Sequence, residues 1–145
     1  MISKKIMRSF VLFFLFLIVI SGCKKEEGVG GTSTIKGKVI VHKYDPPFNG
    51  IQSIYPAVDE KVYIIYGEEG TTYDANFNSS YDGSYEFKFL QKGNYRLFAY
   101  SIDSTGAHTT GNLSGRKIPV IVNVEIKSNG STVEVPEIII LNNKP

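Results

Sequence analysis

An all-β fold is what this sequence predicts: a seven-stranded antiparallel β-sandwich behind an N-terminal export segment. Three observations predict it. From Thr34 onward apolar and polar residues alternate at a period of two, and no helical stripe of useful length appears. Turn residues punctuate the alternation, as at Asp82-Gly83, Lys92-Gly93 and Asn129-Gly130. The 145 residues, 42% hydrophobic and 21% charged, make room for one globular domain. One cysteine excludes an internal disulfide, a cysteine-rich zinc site and an iron–sulfur cluster, so stacked apolar faces must supply the stability.

Residues 1–22 read as a secretory signal peptide. Lys4, Lys5 and Arg8 form its basic start, and Phe10 to Ile20 form an unbroken apolar run of 11 residues. A membrane span needs roughly 20 apolar residues, whereas the hydrophobic region of a cleaved signal needs roughly 7–15. Ile20-Ser21-Gly22-Cys23 then resembles a bacterial lipobox, with an apolar and two small residues before the only cysteine of the chain. The resemblance implies lipidation of Cys23 by diacylglyceryl and N-acyl groups, and hence a lipid-anchored protein of the outer membrane. Losing residues 1–22 removes three cations and turns the formal net charge from +2 to −1. No cationic face for nucleic acid is expected. Residues 23–33 read as the lipidated cysteine and a flexible tether. Within it Lys24-Lys25-Glu26-Glu27 looks like the export tag of surface lipoproteins, which leaves the cell surface and the inner leaflet both open.

The sandwich is expected over residues 34–141, with a tail at 142–145. Its first strand is Ile35 to Val41, with Ile35, Val39 and Val41 on one face. Lys61 to Tyr66 follows, bounded by Gly67 and Gly70, and Thr72 to Phe77 is a weaker third. In Ser84 to Phe89 the aromatics Tyr85, Phe87 and Phe89 alternate with polar residues. Tyr95 to Tyr100 comes next, then Ile118 to Lys127 with Ile118, Val120, Val122, Val124 and Ile126 on one face. Asn129-Gly130 predicts a hairpin. In the last strand, Thr132 to Leu141, Pro136 cannot donate a ladder hydrogen bond and marks an edge or bulge.

Tyr81-Asp82-Gly83-Ser84-Tyr85-Glu86-Phe87, followed by Leu90, Gly93, Tyr95 and Leu97, resembles the core signature of carboxypeptidase-regulatory-like domains. Ile35-x-Gly37-x-Val39 resembles the opening strand of that family, and Val62-x-Ile64 its second. The resemblance covers most of residues 34–141 and implies a transthyretin-like (prealbumin-like) β-sandwich. It specifies fold positions and no chemistry. Two long insertions depart from the pattern, Tyr44 to Glu60 and Ser101 to Lys117, and individual function is expected there.

Catalytic residues are not evident. His42 and His108 stand apart with no motif around them. The transthyretin-like hydrolases of purine breakdown carry a characteristic C-terminal tetrapeptide, and this chain ends Asn142-Asn143-Lys144-Pro145 instead. Lys36, Lys38, Glu86 and Asn142 are the candidates for an isopeptide bond, but alternation turns the two lysines and Glu86 toward solvent. Asp74, Asp82 and Asp103 are scattered rather than set in a calcium loop, so no metal site is expected. Asp103-Ser104-Thr105 resembles a short O-glycosylation motif, and asparagines 78, 112 and 129 begin N-x-S/T triplets. The candidate ligand-contact residues are the aromatics Tyr44, Phe48 and Tyr55, beside Pro46, Pro47, Pro56, Asn49 and Gln52. Absence of Trp weakens a carbohydrate platform. The expected function is a non-enzymatic adhesion, assembly or accessory binding module without cofactor. The alternatives are a glycan-binding accessory lipoprotein of a polysaccharide-uptake system and a small histidine-dependent enzyme.

Overall fold

Strand β1 (Val29–Tyr44) organises one of two sheets. The computed structural model describes residues 27–45, 50–104 and 116–142. From Thr34 onward β1 is flanked on both edges. Antiparallel β5 (Ser84–Leu90) pairs with its first part, and antiparallel β2 (Ile51–Pro56) with its second. The Val39 N–H and C=O point to one edge, where they meet the Gly83 carbonyl and the Ala57 N–H, both at 2.9 Å. β5 and β2 therefore follow each other along that edge. β8 (Thr132–Glu134) and β9 (Ile138–Asn142) run parallel to β1, opposite residues 34–36 and 39–43. The second sheet has the order β4-β3-β6-β7, all antiparallel, from β3 (Lys61–Tyr66), β4 (Ala75–Asn78), β6 (Gly93–Ile102) and β7 (Lys117–Ile126).

The core lies between the sheets. Ile35, Val39, Val41, Tyr85, Phe87, Leu90, Ile138 and Ile140 from the first sheet meet Val62, Ile64, Tyr95, Leu97 and Ala99 from the second. The inward alternation read for β1 and β7 holds. In β7 it is only half-buried except at Ile126, because β7 is an edge strand. Gly37 sits between Ile35 and Val39 because a Cβ there would lie 2.6 Å from the Tyr85 hydroxyl and 2.7 Å from Val135 Cγ2.

Several expectations need correction. The described residues form nine strands rather than seven, and two of them are parallel to their neighbour. The sheet begins at Val29, inside the segment expected as a flexible tether, and ends at Asn142. Gly31 is there for close approach: a Cβ would fall 1.9 Å from the Leu90 carbonyl oxygen, where β1 bulges around that residue. The connection Tyr44 to Glu60 holds a strand, β2, exposed throughout and held by backbone pairing to β1. The weak third strand starts at Ala75, since Asp74 caps the loop before it by accepting the Tyr66 N–H at 2.7 Å. Asn129-Gly130 makes a turn, but it carries the chain from the four-stranded sheet to β1 rather than closing a hairpin. Pro136 divides the last strand into β8 and β9. Phe89 leaves the face of Tyr85 and Phe87, and Leu90 takes the buried place instead.

Candidate functional site

The outer face of the four-stranded sheet is built from residues that alternate with the core. β3 and β6 are apolar at both parities, so while Val62, Ile64, Leu97 and Ala99 point inward, Tyr63, Ile65, Phe98 and Tyr100 point outward. In the ladder, Tyr63 pairs with Phe98 and Phe98 with Ile121 of β7. Tyr73 reaches over from the β3–β4 connection. Tyr63 stacks on Phe98 with centroids 5.0 Å apart and planes at 14°. Tyr73 lies 4.8 Å from Tyr63, tilted by 59°, and Tyr100 meets Tyr63 and Phe98 edge-on at 5.6 and 5.5 Å. Such ring pairs contribute roughly 0.5–1.5 kcal/mol each beyond their burial, which holds the cluster together as a unit.

Only part of it is covered. Phe98 is buried, while Tyr73 is 53%, Tyr100 38% and Ile121 52% exposed. The rim is polar. Asn76 pairs with Tyr63 on one side, and the row Ile65–Arg96–Asn123 continues the face toward the end that holds the β3–β4 connection. Arg96 Nη2 donates to the Gly70 carbonyl, which fixes the guanidinium. Loss of water contact, then the hydroxyls of Tyr73 and Tyr100 and the carboxylate of Glu60, push the Tyr63 phenol up. Burial raises the Glu60 carboxyl, and Lys117 partly offsets this. The arrangement is a rigid aromatic surface with planar amide, guanidinium and carboxylate groups at its margin. It can stack and hydrogen-bond; nothing in it supplies a nucleophile with a base.

A groove of about 670 Å³ opens on the other sheet, lined by Lys36, Lys38, Ser84, Tyr85, Glu86 and Glu134 among others. Its cations face carboxylates: Lys36 to Glu134 at 3.6 Å and Lys38 to Asp82 at 3.7 Å. The Tyr85 hydroxyl is buried with no hydrogen-bond partner among the described residues, and burial pushes its phenol well up.

The sequence-derived candidates are spread out. Tyr44 and Tyr55 lie on the β1–β2 hairpin, at the end opposite Gly28, with Tyr55 opposite Val41 and exposed. Cys23, Phe48 and His108 fall outside the described residues. His42 sits in β1 between Ile54 and Leu141, an aliphatic setting. Lys36, Lys38 and Glu86 are half-exposed ion-pair partners, Glu86 with Lys88 at 2.7 Å. The aspartates serve local structure. Asp82 accepts from the Ser84 hydroxyl at 2.6 Å and its N–H at 3.1 Å, which holds the carboxyl below its usual range. Asp103 faces Arg116 at 3.7 Å. Among the described residues no three His, Cys, Asp or Glu side chains group as metal ligands.

No family model matches the chain, and no curated protein matches it. Among solved structures it is similar to a suggested carbohydrate-binding protein of Pseudomonas aeruginosa, at 11% identity over 79% of this chain and 91% of that one, with a TM-score of 0.42. It is similar to the 5-hydroxyisourate hydrolase of Klebsiella pneumoniae at 17% identity over 79% and 93%, TM-score 0.35. It is also similar to (S)-allantoin synthase at 16% identity over 77% of this chain, TM-score 0.37, and spans 42% of that protein. The first two are transthyretin-like β-sandwiches.

Proposed function

We propose that this chain is a non-catalytic binding module, held at the outer membrane by lipid on Cys23, that presents the outer face of its four-stranded sheet to a ligand. The observation that carries the reading is the cluster of Tyr63, Tyr73, Phe98 and Tyr100 on a face that a solitary sandwich has no need to make aromatic. Exposed contiguous apolar surface with a polar rim is the usual mark of an interaction site. Tyr44 and Tyr55 on the hairpin form a second contact region, at the end away from the anchor, and Phe48, outside the described residues, is proposed as a third contact. The domain acts as an adhesion, assembly or accessory component, displayed on the cell surface or inside the outer membrane.

A glycan is the second reading, favoured by Asn76, Arg96 and Asn123 standing beside the rings. Planar polar groups next to an aromatic surface suit a sugar with its hydroxyls toward the rim. A glycan array tests it on the wild type and on Tyr73→Ala with Tyr100→Ala. Loss of an anchoring ring costs about 2 kcal/mol or more, roughly 30-fold in affinity. Signal that survives in the double variant removes the face from the account, and no signal in any form leaves a protein as the ligand.

A further inference from the structure

The end of the sandwich that carries Gly28 has a feature the aromatic face does not need. Phe89 adopts φ +59°, a left-handed conformation uncommon for a bulky side chain. This turns the ring out of the core, and it is 68% exposed. Beside it, Val29 pairs with Leu90 and is 64% exposed. The first residue of β1 and the last but one of β5 thus both offer large apolar groups at one end of the ladder. Lys88 and Lys92 flank Phe89 in sequence and are exposed, Lys88 within 2.7 Å of Glu86. Strained backbone at an exposed hydrophobic residue points to a role outside the fold.

With lipid on Cys23, chain length limits how far this end can stand from a membrane. Gly28 is fixed: its N–H donates to the Tyr95 hydroxyl at 3.1 Å, and its carbonyl accepts from the Gln91 N–H at 2.8 Å. Cys23 stands five residues earlier, a reach of at most about 17 Å when fully extended. A lipid on that sulfur has its glycerol at the base of the headgroups, a layer roughly 5–8 Å deep. The Gly28 end can therefore stand clear of the headgroups by only about 10 Å.

We infer that this end is a membrane-docking surface, with Phe89 and Val29 seated in the interfacial zone of the bilayer and Lys88 and Lys92 at phosphate level. The assignment rests on the lipid anchor proposed above. Apolar side chains buried at the headgroup boundary and lysines extended toward phosphates are the usual means of interfacial binding. Docking also orients the sandwich. The β1–β2 hairpin points away from the bilayer, and the aromatic face stands along the membrane normal, open to the side.

The absence of Trp makes the test direct. Phe89→Trp and, as a control at the opposite end, Tyr81→Trp each give one reporter; Tyr81 is 83% exposed in the β4–β5 connection. The full lipidated protein is reconstituted into phosphatidylethanolamine–phosphatidylglycerol vesicles with and without brominated acyl chains. Emission from Phe89→Trp is expected to shift to the blue and to be quenched by the brominated lipid, and emission from Tyr81→Trp to change little. Equal, weak quenching at both positions on protein that floats with the vesicles overturns docking while leaving the anchor in place. Protein that fails to float at all overturns the anchor, and docking with it.

Discussion

Leu97→Ala is expected to lower the stability of the domain by about 2–5 kcal/mol, the range for truncating a fully buried leucine. Leu97 has no solvent exposure and lies in β6, an inner strand of the four-stranded sheet. Its ladder partners are Ile64 and Val122, and across the core lie the inward residues of β1, β5 and β9. A cavity there is walled by residues from both sheets, which leaves little room for collapse. The only cysteine is Cys23, so no disulfide limits the unfolded chain. Val122→Ala, one strand further out and half-buried, is expected to cost about 1 kcal/mol, since the edge strand can settle. Denaturant midpoints of the two variants check this. Equal losses would mean that β6 is not the centre of the core.

The same residues show why the fold was mostly legible. Where burial and hydrogen bonding coincide, the strand is legible: the β-branched and aromatic run Lys61 to Tyr66, bounded by Gly67, is β3 to the residue, and the alternation from Ser84 begins β5. Where they separate, the pattern is silent. β2 buries none of its six side chains and exists because β1 offers it free backbone groups, which side-chain periodicity does not record. Gly30 and Gly31 read as a spacer by composition, yet Gly31 is small because Leu90 passes against it. Asn129-Gly130 announces a turn correctly, but a local signal cannot say which sheet receives the chain. Phe89 breaks the alternation through one backbone angle that the sequence does not display.

The aromatic face is marked in the sequence by parity. A strand covered on one side alternates, whereas one apolar at both parities is covered on both or presents apolar surface outward. Val62-Tyr63-Ile64-Ile65-Tyr66 and Tyr95-Arg96-Leu97-Phe98-Ala99-Tyr100 are of the second kind. With β3 and β6 adjacent in a sheet that has no further strand layer over its outer face among the described residues, the surplus aromatics gather there. Tyr73 could not be read at all, because its place over Tyr63 depends on the course of the β3–β4 connection. The long connection that carries Tyr44, Phe48 and Tyr55 holds a hairpin strand over residues 51–56.

From the lipid anchor proposed above, Cys23→Ala is expected to move the protein from the membrane to the aqueous fraction almost completely. Each buried methylene of an acyl chain contributes about 0.8 kcal/mol, a single myristoyl chain binds with a constant of only about 10⁴ M⁻¹, and two or more chains anchor stably. Two exposed apolar residues, Phe89 and Val29, offer far less buried area than the acyl chains, so docking orients the domain without being able to retain it. The variant should nonetheless keep the denaturant midpoint of the wild type, because the core begins at Ile35 and the ladder at Val29. Detergent phase separation and intact-mass measurement check both halves: the wild type should carry the mass of its acyl groups and enter the detergent phase, and the variant should do neither. A wild-type protein with a free thiol at Cys23, or a variant still held by membranes, would remove the anchor on which the orientation of both the aromatic face and the hairpin depends.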